Sequence, residues 1–157
     1  MGQLPIIRAR DEGETIQGPA GGPLTFKARA AETARTLTAF ENVIAPGDGP
    51  PLHSHEVEGE SWYIIEGTLR FKVGADIRPA PQGTFVYVPP GTPHCFQNVG
   101  DAPARILVLF TPAGMEGFFE RFAQLPPGST DPALFQEAGR DDGMTVLGPP
   151  LAVSDPL

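Results

Sequence analysis

Residues 47–67 read Gly47-Asp48-Gly49-Pro50-Pro51-Leu52-His53-Ser54-His55-Glu56-Val57-Glu58-Gly59-Glu60-Ser61-Trp62-Tyr63-Ile64-Ile65-Glu66-Gly67. On a strand successive side chains alternate between faces, so His53 and His55 project to one side with Cα atoms about 7 Å apart and Ser54 to the other. Two imidazoles at that spacing can converge on one ion. Glu60 follows after Glu56-Val57-Glu58-Gly59, a stretch able to turn or bulge and return a carboxylate to the same centre. Two histidine nitrogens and one carboxylate form the face that redox-active divalent metals use when their remaining positions stay open. The third and last histidine, His94, follows the turn Val88-Pro89-Pro90-Gly91-Thr92-Pro93 and would add a nitrogen from elsewhere in the fold.

Working outward, residues 24–110 show short apolar runs bounded by Gly, Pro, Asp or Asn, which reads as roughly eight strands. The runs are 24–29, 35–45, 52–56, 60–66, 68–73, 76–79, 84–88, 94–98 and 104–110. No helical pattern of 10–15 residues interrupts them, which removes βαβ architectures and leaves a sandwich or barrel, including the double-sheet jelly roll. The chain has 157 residues, a common size for one domain. It divides into an N-terminal arm (1–23), a barrel core (about 24–111) and a C-terminal tail (112–157).

In the arm only Ile6 and Ile7 suggest a short edge strand. In the tail the period changes: Met115, Phe118, Phe119, Phe122 and Leu125 mark one helix face, ended by Pro126-Pro127. A second helix is signalled by Asp131 as N-cap, Pro132 at the first helical position and Gly139 at the end, with Leu134, Phe135 and Ala138 buried. Met144–Leu147 suggests one more edge strand before the chain frays. The first helix is expected to cover a barrel face or mouth, or to pack on a second subunit.

The two segments together resemble the cupin superfamily. Its first motif, Gly, five residues, His-x-His, three or four residues, Glu, six residues, Gly, is matched by Gly47, His53, His55, Glu60 and Gly67. Its second, Gly, five residues, Pro-x-Gly, two residues, His, three residues, Asn, is matched by Gly83, Pro89, Gly91, His94 and Asn98. The resemblance implies an all-β double-stranded β-helix barrel with one divalent transition metal ion (Fe, Mn, Ni, Co, Cu or Zn) held by His53, His55, Glu60 and His94. It also implies a homodimer.

Strand parity sets the expected pocket. Counting by twos from Glu60 places Trp62 and Ile64 inward, and from His94 it places Phe96 and Asn98 inward, with Tyr63 and Cys95 outward. Phe40, Asn42 and Ile44 approach from the preceding strand and Phe110 from the last one, so the expected pocket is Phe40, Trp62, Ile64, Phe96 and Phe110. Trp62, Phe96 and Phe110, each taken singly, could equally be ordinary barrel core.

A formal net charge of −8 argues against nucleic acid or an anionic membrane as partner and leaves a small molecule. The single Cys95 permits no internal disulfide, and the N-terminus lacks an apolar leader, which together suggest a cytoplasmic protein. The apolar cup suits an aromatic or enolic ligand, and the motif strands offer only Arg70, Lys72 and Arg78 for a pyrophosphate. The resemblance is nearest to quercetinase-like dioxygenases, in which Glu60 would either ligate the metal or accept a substrate proton. A metal-dependent isomerase or lyase, and a non-catalytic binding module, are the alternatives.

Overall fold

The structure, a computed structural model, describes residues 3–126, 128–129 and 131–157. Ten strands precede the first helix: β1 (Thr15–Gln17), β2 (Gly21–Ala28), β3 (Thr38–Ile44), β4 (Pro51–His55), β5 (Gly59–Glu66), β6 (Thr68–Val73), β7 (Asp76–Pro81), β8 (Phe85–Val88), β9 (His94–Asn98) and β10 (Ala104–Thr111). Then come α1 (Glu116–Phe122), α2 (Pro132–Gly139), a 3-10 turn (Arg140–Asp142), β11 (Met144–Pro150) and α3 (Leu151–Ser154). No described helix is long and apolar enough to cross a membrane.

The strands pair in a nested series in which β3 meets β10, β4 meets β9, β5 meets β8 and β6 meets β7, all antiparallel. This nesting folds one long ribbon into a jelly roll of two sheets, β1-β2-β3-β10-β5-β8 and β11-β4-β9-β6-β7. Alternation supplies the filling. Strand β10 buries Ala104, Ile106, Val108 and Phe110 while the residues between them reach outward, and β2 buries Leu24, Phe26 and Ala28. Each large apolar side chain sealed between the sheets contributes about 1.5–3 kcal/mol.

Several boundaries differ from the sequence reading. The third strand starts at Thr38 rather than residue 35, because Ala34 (φ 47°) and Arg35 (φ 63°) sit in the left-handed region, closing a turn in which the Arg35 N–H donates to the Ala30 carbonyl. Ile6 and Ile7 form no strand. The arm is instead tied to β2 by the Lys27 ammonium, which donates to the carbonyls of Ala9, Arg10 and Glu12 at 2.7 Å each. The sheet edge is built by β1, which three residues separate from β2.

In the tail, Asp131 caps α2 by accepting from the Ala133 N–H at 2.9 Å, and Pro132 opens that helix. Phe135 and Ala138 are buried there, whereas Leu134 is half-buried. The first helix ends earlier than its apolar stripe, at Phe122; of the expected Pro126-Pro127 stop, Pro127 lies outside the described residues. The edge strand near 144–147 is present and extends to Pro150. It does not fray afterwards. The turn α3 packs on β9, and from the adjacent β6 Arg70 donates to the carbonyls of Leu151 and Asp155 and Lys72 pairs with Asp155 at 3.1 Å. That cover corrects the reading of Cys95: its outward face is closed off, so the thiol is fully buried, and burial pushes its pKa up to about 11.

Candidate metal centre

Three strands, β4 and β9 of one sheet and β5 of the other, bring the four polar residues together. His53 and His55 stand at alternate positions of β4, both buried, with ring centroids 4.9 Å apart. His94 opens β9 as the direct register partner of His53, and the two rings lie 4.4 Å apart. The turn before it is fixed by the Gly91 N–H, which donates to the His55 carbonyl at 2.7 Å, with Gly91 at φ 80° where a side chain would be strained. Glu60 enters from β5, its Oε2 lying 3.1 Å from His55 Nε2 and 2.9 Å from His94 Nε2. One ligand atom from each of the four residues lies within 4.8 Å of the others.

The donor set fits a divalent cation. His53 Nδ1 and His94 Nδ1 face the carbonyl oxygens of Pro51 (2.8 Å) and Thr92 (2.9 Å), which only accept, so both Nδ1 atoms carry the proton. That tautomer leaves each Nε2 lone pair free for a metal. At His94 the Nε2 nevertheless faces the Glu60 carboxylate, a second acceptor. A neutral imidazole has one N–H, so one of these two contacts lacks a proton, and a cation between Nε2 and the carboxylate removes the conflict.

The electrostatics agree. Burial opposes the charge on Glu60, yet the adjacent His55 and His94 rings outweigh it and hold the carboxyl down at about 2. Burial, reinforced by the neighbouring His94 and His55, drives the pKa of His53 well below its ordinary value, so its ring is neutral.

His53, His55 and Glu60 open onto a cavity of about 520 Å³ of atom-free space, counting its mouth. Phe40, Trp62, Phe96 and Phe110 line it, with Phe110 edge-on to His55 at 5.2 Å and Trp62 edge-on to His94 at 5.4 Å. Ile64 is a correction: it is fully buried within the core and is not part of the cavity wall. The wall also includes residues outside the expected pocket: Phe118 and Phe119 from α1, Phe135 from α2, Met144 from β11 and Asn42 from β3. The apolar stripe on α1 was the available signal for the first two. Sequence spacing does not show where that helix docks, which is over Phe40, with the Phe119 ring 4.7 Å away.

Residues 41–110 match the cupin domain family. Among solved structures, KdgF from Halomonas sp. superposes with a TM-score of 0.64 at 17% identity, covering 72% of this chain and 98% of that one. The barrel core of this chain carries a cupin domain. A 110-residue stretch of the cupin is 26% identical to polyketide synthase CurC of Streptomyces cyaneus, covering 67% of this chain and 71% of that protein. A 64-residue stretch is 28% identical to mannose-1-phosphate guanylyltransferase of Escherichia coli K12, covering 41% of the cupin but only 13% of that enzyme.

Proposed function

We propose that this cupin is a metal-dependent oxygenase of the quercetinase-like dioxygenase type, acting on a small aromatic or enolic substrate. The observation that carries the reading is the juxtaposition of a buried three-histidine, one-carboxylate set with an aromatic cavity in which, among the described residues, Glu60 is the one charged lining residue. A bound divalent transition metal (Fe, Mn, Ni, Co, Cu or Zn) would supply Lewis acidity and, if redox-active, electron exchange with dioxygen.

The chain's own groups do the rest. His53, His55 and His94 present nitrogens to the ion. Glu60, held ionised, accepts the proton of an enolic or phenolic hydroxyl that reaches its oxygen. Phe40, Phe110 and Trp62 pack on an apolar ring and exclude water. The relative named as a polyketide synthase supports this substrate class, since polyketide chains are rich in enolisable carbonyls. The guanylyltransferase likeness carries less weight: a pyrophosphate wants Arg or Lys, and Arg70 and Lys72 are engaged with the C-terminal segment on the outer face of the barrel.

A metal-dependent isomerase or lyase is the second reading, favoured by the ionised buried carboxylate, which serves proton transfer without any oxidant. Oxygen consumption by protein reconstituted separately with each of the six metals, against flavonols, catechols and β-diketones, tests the proposal. Uptake with one redox metal, absent in His53→Ala, is the expected result. No uptake with any metal overturns the oxygenase reading, and turnover with Zn(II) alone would favour the isomerase.

A further inference from the structure

The cavity has a second polar end. Asn42 is 4% exposed, lines the cavity, and its Oδ1 is buried with no hydrogen-bond partner among the described residues. Trp62, on the same inner face, has a buried Nε1–H that is likewise unpartnered. Orphaned buried polar atoms are rare in folded proteins and costly, so each calls for a partner.

The surroundings of Asn42 are shaped to admit it. It pairs across the sheet with Ile106 on one side and Leu24 on the other, amid apolar neighbours. The turn joining β1 to β2 passes over it at Gly18, where an added Cβ would lie 2.6 Å from Asn42 Oδ1. Any side chain at Gly18 would displace the amide.

Register gives the distance from the metal end. Glu60 pairs with Phe110, and Asn42 pairs with Ile106, four residues further along β10, which is about 13 Å in the strand direction. Trp62, opposite Val108, lies between the two rows.

We propose that Asn42 is a specificity-determining residue, whose Oδ1 accepts a hydrogen bond from a hydroxyl at the end of the ligand remote from its metal-chelating oxygens, with the Trp62 N–H donating to a ligand oxygen between them. The ligand class is therefore a fused-ring enol or phenol hydroxylated at both ends. This rests on the proposed enolic-ligand reading and sharpens it.

The test measures binding to Zn(II)-loaded protein, without oxygen turnover, of two probes: 3-hydroxychromone, which chelates at one end only, and 3,7-dihydroxychromone, which adds a hydroxyl at the far end. The wild-type protein is expected to prefer the dihydroxy probe by about tenfold. Asn42→Leu is expected to abolish the preference, leave 3-hydroxychromone affinity within about twofold, and keep the melting temperature at or above wild type, because an orphaned polar atom is replaced by carbon. Asn42→Thr, which keeps an acceptor, should restore part of the preference and provides the same readout if the leucine variant does not fold. Equal affinities in the wild type, or a preference that survives in Asn42→Leu, overturn the inference and leave Oδ1 a water site only. Binding of neither probe overturns the enolic-ligand reading together with it, whereas a preference without oxygen uptake overturns the oxygenase proposal alone.

Discussion

At one end of the cavity, four polar side chains from β4, β5 and β9 bring one ligand atom each within 4.8 Å of the others; the facing wall is a cluster of rings from β3, α1 and α2, with Met144 of β11 beside them. Strand alternation sets the first group, and two turns close it. The second is set by where the C-terminal segment docks: Phe119 meets Phe40 and Phe110, and Phe135 meets Phe122 at 4.5 Å. Chemistry and enclosure are thus carried by different parts of the chain. A substitution in one group should leave the other largely intact.

The largest separation is expected for His94→Ala. It removes a ligand and leaves the buried Glu60 carboxylate short of a partner, so metal affinity should fall by at least roughly 100-fold while circular dichroism still reports a β-barrel. Stoichiometric metal in this variant would break the comparison from the polar side.

Phe119→Ala attacks the other wall. Deleting that ring should cost about 3–5 kcal/mol in urea unfolding, with one metal still bound per chain. Loss of metal there would show that the rings position the ligands and do more than enclose them.

Acid should act on the polar end in two stages in the metal-free protein. His53 stays neutral when folded but protonates near 6.5 when unfolded, so its contribution declines as pH drops below 6.5. Glu60 is ionised when folded down to about 2 and titrates at 4.5 when unfolded, so the stability it adds is complete above 4.5 and lost as pH falls through about 2. Calorimetric melting against pH should show both declines, and Glu60→Gln should lack the second. The smallest effect is expected for Asp131→Ala, which removes the α2 cap under Phe135 and should cost about 1 kcal/mol with no change in metal binding.

The same contrast explains what was legible in the sequence. His53, His55, Glu60 and His94 are readable because period-two alternation and glycine turns are local properties, and the structure places all four at one point. Tyr63, on the opposite parity to Trp62, is 45% exposed as alternation requires. Where a distant segment intervenes, parity fails: Cys95 has outward parity but lies under α3, and Ile64 has inward parity but sits deep in the core. Asn42 was readable only as a residue on the preceding strand. Its isolation depends on Gly18 and the apolar neighbours that the register brings to it.

The most direct test of the centre itself is an anaerobic titration of metal-free protein with Co(II), followed by its visible ligand-field spectrum and by metal analysis. The account predicts saturation at one ion per chain, with the spectrum lost in His53→Ala. Absence of stoichiometric binding in the wild type, or an unchanged spectrum in His53→Ala, would contradict it.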